Sequence, residues 1–413
     1  MSGRDSGDDG TDGTSDGEVT VADVRRLLKE SSSPETRQQA AEMLGNVGGS
    51  DGAPEREVVG DLIEAVLRDP DDEVRIAAID ALQYLGPGNV DRLVETLAEQ
   101  ARRDREGVAL GEHFLPWLVA DRAESRLVGA AAMERYGTRA VLTEIERSLS
   151  DDDPRVRARA VSAYGSIEGA RDPEPVESLL RDRNRAVRTA AARALGEMGT
   201  DAACRSLAPA ARAADERLRL VTVSQLGAFD HPRAATALIE ALTDPSSAVR
   251  DRAADSLLRV LAAGERIDAG SVPDRIAAET SVSETEAVTG ILAEIATAAD
   301  NSERKRIYAA WILGEVAGSF EDETRELRLL DVFRSGGPVG DLAAAYLRHH
   351  EGEAVERGLQ EIIGDPETVA PTRERARGVL GRVKRNAAAP VVEQGIEYTY
   401  LQTPSDYTAK YEE

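Results

Sequence analysis

The sequence predicts an all-α fold of the α-solenoid type, because one helical motif recurs along most of its 413 residues. The clearest sign is an arginine that returns at four successive steps of 31 residues. A strict period of that size indicates a repeat protein. Apolar residues at helical spacing around each arginine, and capping residues before it, are two further signs. The evenly spaced arginines are Arg126, Arg157, Arg188, Arg219 and Arg250.

Each arginine stands in the same apolar frame. An apolar residue precedes it, small residues follow three and six positions later, and larger apolar residues follow at seven and ten. Around Arg188 these are Val187, Ala191, Ala194, Leu195 and Met198. Such spacings place the side chains on one helix face, and the alanines let a neighbouring helix approach closely. The frame therefore predicts that each of these helices pairs with a second one.

With looser spacing the frame extends in both directions, and a weaker copy without arginine covers Pro338 to Leu347. The full set of repeat arginines is Arg37, Arg75, Arg126, Arg157, Arg188, Arg219, Arg250, Arg306 and Arg373. A side chain suited to an N-cap stands four residues before most of them, and Pro34 and Pro154 take the next helical position. The predicted caps are Ser33, Asp71, Asp153, Asn184, Asp215, Ser246 and Ser302.

The units from Asp72 to Gly86 and from Ala186 to Gly199 resemble HEAT repeats of the short kind found in bilin-lyase-like proteins. The resemblance covers roughly residues 19 to 385 and implies a superhelical array of about nine or ten helix pairs. Most members of this family are scaffolds, and the residues shared with it are structural.

The organisation along the chain follows from this frame. Residues 1–18 read as a disordered acidic tail, and residues 19–385 as the repeat array. Residues 386–413 contain four of the nine tyrosines and read as a flexible tail. Three fates stay open for that tail: disorder, docking across the last repeats, or presentation to a partner as a short motif.

Two inserts interrupt the period. The step from Arg75 to Arg126 is 51 residues, which leaves room for an extra element near 104–120 that holds Phe114 and Trp117. We expect these aromatic residues to be buried at a register slip, and a partner anchor is the alternative. The step from Arg250 to Arg306 is 56 residues, and the excess near 265–283, around Val272, reads as a surface loop with at most one short helix.

Composition narrows the class of protein. The net charge is −25, and only four residues are lysine, a balance that looks like that of a protein from a salt-loving archaeon. The acidic balance argues against general affinity for nucleic acid. The single cysteine, Cys204, excludes an internal disulfide and fits a reducing compartment. With no apolar run long enough to cross a membrane, we expect a cytoplasmic monomer without membrane contact.

The repeat arginines themselves are predicted to be structural. A guanidinium beside the buried face can bond to carbonyls and carboxylates at the turn between repeats, while its stem packs on the alanines. Positions two, five and nine residues past each arginine should instead face outward on the concave side. These predicted partner-binding residues are Tyr84, Arg159, Arg193, Arg252, Arg259, Tyr308 and Trp311.

The sequence gives little support for a catalytic function. The four histidines are scattered, and the sequence has no metal-ligand spacing, phosphate loop or nucleophile motif. Deoxyhypusine hydroxylases, which have HEAT-like repeats, bind iron through several His-Glu pairs, whereas only His350-Glu351 resembles such a pair here. We therefore predict a protein that is not an enzyme and has no cofactor, metal site or catalytic residue.

The predicted function is a protein-protein interaction scaffold or adaptor that holds a protein partner on its concave face, with prokaryotic signalling as the specialisation. Between Arg155 and Arg193 nine arginines stand against five acids, a basic island suited to an acidic helix or a phosphorylated tail. Two alternatives stay open: nucleic-acid binding through that island at 155–193, as in HEAT-like DNA glycosylases, and a bilin-lyase-like or other protein-modifying activity.

Overall fold

The computed structural model describes residues 19–46, 55–104, 106–167, 172–264, 266–318, 323–349 and 353–388. All regular secondary structure in these ranges is helical, which confirms the all-α solenoid class. The two predicted tails lie outside these ranges, apart from residues 386–388, and so does the His350-Glu351 pair. The chain divides into two compact units, Met1–Ala163 and Tyr164–Glu413, and the division falls within one helix.

The first unit consists of helix pairs in which the second helix carries the repeat arginine. α1 packs on α2, α3 on α4, and α2 on α4 in turn. The insert forms two short helices, α6 and α7, of which α7 packs against α8. The helices are α1 (Val21–Glu30), α2 (Pro34–Asn46), α3 (Glu55–Arg68), α4 (Asp72–Leu85), α5 (Pro87–Asp104), α6 (Leu110–His113), α7 (Leu115–Leu118), α8 (Ala123–Tyr136), α9 (Leu142–Ser148) and α10 (Pro154–Ser166).

The second unit is built in the same way, from pairs of first and second helices. Second helices pack in the order α12, α14, α16, α19, α21 and α23, and several first helices continue into a 3-10 turn. The helices are α11 (Glu174–Glu177), α12 (Arg185–Met198), α13 (Asp201–Leu207), α14 (Glu216–Leu226), α15 (Pro232–Glu240), α16 (Ser247–Ala263), α17 (Val272–Glu279), α18 (Val282–Thr297), α19 (Glu303–Gly318), α20 (Glu323–Arg334), α21 (Gly337–Leu347), α22 (Glu353–Gly364) and α23 (Ala370–Ala388).

Helix starts follow the capping residues in the sequence. The Asp71 side chain accepts from the main-chain N–H groups of Glu73 and Val74, which fixes the start of α4. Asn184 and Asp215 cap α12 and α14 in the same way. Ser246 is different: it forms no side-chain cap, and its hydroxyl donates instead to Glu216 at 2.7 Å.

The core of each unit is the apolar frame around the arginines. In α12 the frame residues Val187, Ala191, Ala194 and Leu195 are at most 1% exposed. Close approach between second helices depends on small residues: a Cβ atom on Gly45 of α2 would lie 2.8 Å from Ala81 Cα of α4. Since carbon atoms do not approach that closely, this contact requires glycine.

The two inserts are ordered parts of the core. Phe114 is fully buried and stacks on Tyr136 with ring centroids 6.1 Å apart, as expected for an aromatic group covering a register slip. Trp117 is half-buried. In the second insert, α17 contributes the buried side chains of Val272 and Ile276, so this segment is a packed helix and not mainly a surface loop.

Candidate functional site

The repeat arginines lie at the turns between first and second helices. The Nη1 atom of each donates to the main-chain carbonyl six residues earlier, at 2.6–3.1 Å. The arginines with this contact are Arg37, Arg75, Arg126, Arg157, Arg188, Arg219 and Arg250. In α19, Arg306 donates through Nε to Ala296 O at 2.9 Å. Arg373 is half-buried in α23, where the nearby Arg375 forms an ion pair with Asp341.

Aspartates complete the turns. Arg37 and Arg219 each donate through Nε and Nη2 to both oxygens of one carboxylate, that of Asp69 and that of Asp244. Both aspartates are nearly buried, and their main-chain carbonyls accept from the next repeat arginine, Arg75 or Arg250. One aspartate thus links two repeats, a role that the sequence showed only as a recurring Asp six residues before the arginine.

The predicted binding residue Arg159 in α10 is not exposed. Its side chain is 17% accessible and forms ion pairs with Asp91 at 3.0 Å and Glu134 at 2.9 Å. Burial opposes its charge, but the two carboxylates outweigh that effect and raise the pKa of Arg159. The prediction that Arg159 faces outward is therefore wrong, because acids from α5 and α8 reach it first.

Arg155, one turn earlier, is the centre of a larger cluster. Its guanidinium donates to Asp80 of α4 at 2.5 Å, to Asp153 at 2.7 Å and to Glu124 of α8 at 3.4 Å. The hydrogen bond to Asp153 is the main reason that the pKa of Arg155 is raised. Three second helices, α4, α8 and α10, are therefore tied together by a single side chain.

An open cavity of about 520 Å³ lies beside this cluster in the first unit. It is lined by Asp80, Gln83, Tyr84, Glu124 and Arg155, and we call it the Tyr84 groove. Tyr84 is 72% exposed, as the sequence predicted for a partner-facing position. Sequence reasoning missed the two acids of the groove, although Asp80 stands five residues past Arg75, at a predicted outward position, and Glu124 stands two residues before Arg126.

In the second unit the predicted residues divide into two groups. Arg193, Arg252 and Arg259 are exposed, and Arg259 forms an ion pair with Asp255 at 2.5 Å. Tyr308 and Trp311 are 6% and 2% exposed and pack edge to face, so the prediction that they face outward is wrong. The physical reason is that α19 is enclosed by α16, α17, α18, α20 and α21, of which α17 belongs to the insert.

Several arginines of the basic island at 155–193 are already paired with carboxylates. Its residues fall in both units, and Arg155 and Arg159 are each bonded to carboxylates of the first unit. Arg188 likewise forms an ion pair with Asp215 in the second unit. Arg181, Arg183, Arg185 and Arg193 are exposed.

Groups suited to catalysis or metal binding are sparse in the described ranges. No group of three or more His, Cys, Asp and Glu side chains there could hold a metal ion. Cys204 is buried on α13, and this burial raises the pKa of its thiol to about 11. His231 accepts from the main-chain N–H of Arg233 and thereby caps α15.

The helix pairs α1–α2 and α3–α4, with repeat arginines at their turns, lie in a stretch that matches a known family. Residues 21–111 match the family model of HEAT repeats. The predicted resemblance to HEAT repeats is thus confirmed for residues 21–111, while the bilin-lyase-like kind and the salt-loving source stay predictions. No curated protein sequence matches the chain.

Several solved structures are similar in architecture. One is the crystal structure of an engineered protein, whose sequence is 18% identical to this one. The alignment covers 88% of this chain and 98% of the engineered chain, with a TM-score of 0.49. Importin beta is 14% identical, with 87% of this chain and 57% of its own covered and a TM-score of 0.38. A chain from the structure of Kap95p with RanGDP is 13% identical, with 89% and 57% covered and a TM-score of 0.40. At such values none of the three bears on partner or activity.

Within the described ranges, every helix is too short or too polar to cross a lipid bilayer.

Proposed function

We propose that this chain is a non-catalytic scaffold that binds a protein partner on the outward surface of its second helices. The observation that carries the proposal is the Tyr84 groove, in which an exposed aromatic ring stands beside charged side chains held in place by ion pairs. Aromatic residues that are exposed next to preorganised polar groups are typical of binding positions in protein interfaces. Repeat arrays use such extended faces for recognition.

The rigidity of the groove supports this proposal. Asp80, Glu124 and Arg155 come from three different helices, and their hydrogen bonds fix one another. A partner that binds there meets side chains that are already ordered, so little conformational entropy is lost on binding. An adaptor in prokaryotic signalling is the specialisation that we favour, because the family resemblance implies it.

Nucleic-acid binding is supported less well. Phosphate recognition needs arginines whose charge is not already matched, and Arg155 and Arg159 are bonded to carboxylates. A bilin-lyase-like or other protein-modifying activity has no observation in its favour.

Site-specific photo-crosslinking tests the proposal. A photoreactive benzoylphenylalanine replaces Tyr84 in the full chain, which is then irradiated in its native cell extract. We expect one reproducible protein adduct, identified by mass spectrometry. The control places the same group at Glu99 on α5, which is the first helix of its pair; the Glu99 side chain is 63% exposed. No protein adduct at position 84, or the same adducts at both positions, would refute the proposal.

A further inference from the structure

We propose that the Tyr84 groove receives an arginine side chain of the partner protein. This inference rests on the proposed scaffold function and names the chemical group that the groove recognises. The lining consists of two carboxylates, Asp80 and Glu124, one guanidinium, Arg155, and the uncharged Gln83 and Tyr84. The groove therefore keeps one negative charge in excess and is complementary to a cation, whereas the basic island had suggested an acidic partner.

The carboxylates retain acceptor capacity. Arg155 reaches only one oxygen of each, Oδ1 of Asp80 and Oε1 of Glu124. A carboxylate has about four lone-pair sites, so the second oxygens of both residues are available to an incoming donor. Asp80 and Glu124 are 37% and 21% exposed, which leaves them accessible while lowering the screening by solvent.

Gln83 supplies a third acceptor. Its side-chain Oε1 atom is buried, and no hydrogen-bond donor reaches it within the described part of the chain. A buried acceptor without a donor costs free energy, and an incoming N–H group removes that cost. Gln83 lines the same groove as the two carboxylates, so a rotation of its side-chain amide toward the groove would present a third acceptor to the same ligand.

Tyr84 explains why the cation is arginine and not lysine. Its ring is 72% exposed at the edge of the groove and offers a flat face to a cation. A guanidinium is planar, stacks on an aromatic ring and carries five donors in a fixed fork, whereas an ammonium is a compact point charge. Several acceptors beside an exposed aromatic ring match the planar guanidinium group better than the ammonium group.

The test uses N-acetylarginine amide as the probe and ligand-detected saturation-transfer NMR on the full chain to obtain its Kd. We expect saturable binding, at least threefold weaker binding of N-acetyllysine amide, and no binding of N-acetylcitrulline amide, which has the same shape without the charge. Tyr84→Ala should weaken binding by about threefold or more, the value of an exposed cation-π contact. Asp80→Asn removes one of the two carboxylates that meet the cation and should also weaken binding by about threefold or more. Tyr84→Phe should bind as the natural chain does.

The matched control is Glu64→Gln, which removes an exposed acid of α3 that pairs with Arg68 away from the groove. Its affinity for the probe should not change. Equal binding of the citrulline or lysine probe would overturn the inference, and so would Tyr84→Ala and Asp80→Asn affinities within twofold of the natural chain. Because Tyr84 is exposed, Tyr84→Ala should fold even if Asp80→Asn does not.

The two proposals fail in different ways. If a partner is crosslinked at position 84 but the arginine probe does not bind, the scaffold function stands and the arginine assignment falls. If the probe binds but position 84 captures no protein, the groove chemistry stands and the scaffold function falls.

Discussion

Arg126 and Asp151 form an ion pair with two hydrogen bonds, in which Nε and Nη2 donate to the two carboxylate oxygens at 2.7 and 2.9 Å. The carbonyl of the same aspartate accepts from Arg157 at 2.6 Å, so Asp151 joins two consecutive repeat arginines. The Asp151 side chain is 8% exposed. Removal of either partner therefore leaves a charged group with little access to water.

We expect Arg126→Ala to lower the free energy of unfolding by about 3 kcal/mol, because it leaves the Asp151 carboxylate buried without its partner. Asp151→Ala should cost a similar amount, and the double variant less than the sum, which a urea-unfolding double-mutant cycle measures. The control is Arg147→Ala, whose side chain is 74% exposed and which should change stability by less than about 0.5 kcal/mol. Additive costs at positions 126 and 151 would show that the pair contributes nothing.

The carboxyl group of Asp215 makes the free energy of unfolding depend on pH in the acid range. A hydrogen bond from Arg188 is the main cause that lowers the pKa of this carboxyl below its ordinary value, and main-chain donors at the start of α14 add to it. A lowered carboxyl pKa stabilises the fold at pH values above the unfolded value of about 3.9, and this contribution is lost as the pH falls through the folded value. Stability should therefore drop between about pH 5 and pH 3.

Asp215→Asn separates the charge from the cap, because asparagine is an equally good N-cap and already caps α12 at Asn184. The variant should be less stable than the natural chain at pH 7 and lose less stability between pH 5 and pH 3, as measured by urea unfolding at each pH. Glu99→Gln, an exposed acid on α5, should keep the natural pH dependence. An Asp215→Asn curve parallel to the natural one would contradict this account.

Gly45 tests the close approach of second helices in the first unit. Since its Cβ atom would lie 2.8 Å from Ala81 Cα, Gly45→Ala should push α2 from α4 and cost about 1–3 kcal/mol of unfolding free energy. Gly60 in α3 is the matched control, because nothing lies within 4 Å of the position that an alanine methyl group would take there. Gly60→Ala should stabilise the protein by about 0.5–1 kcal/mol through helix propensity. Equal effects at the two glycines would contradict the packing.

The repeat frame could be predicted from the sequence because it depends on local helical spacing, and the buried face of α12 follows it residue by residue. The burial of Trp311 could not be predicted, since it depends on the inserted α17 and four other helices around α19. The Tyr84 groove was predictable only in part: Tyr84 stands at an outward position of the frame. Its acids come from α4 and α8, and only the packing of these helices on α10 brings Asp80 and Glu124 to Arg155.

The two tryptophans differ in burial, and their fluorescence can measure this difference. Trp311 is 2% exposed, whereas Trp117 in α7 is half-buried. In the Trp117→Phe variant, Trp311 should emit at shorter wavelength and resist quenching by acrylamide, because its side chain is almost completely buried. In Trp311→Phe, the remaining Trp117 should emit at longer wavelength and be quenched several-fold more efficiently, as measured by Stern–Volmer analysis. Strong quenching of Trp311 in the folded protein would restore it as a partner-facing residue and contradict the packing around α19.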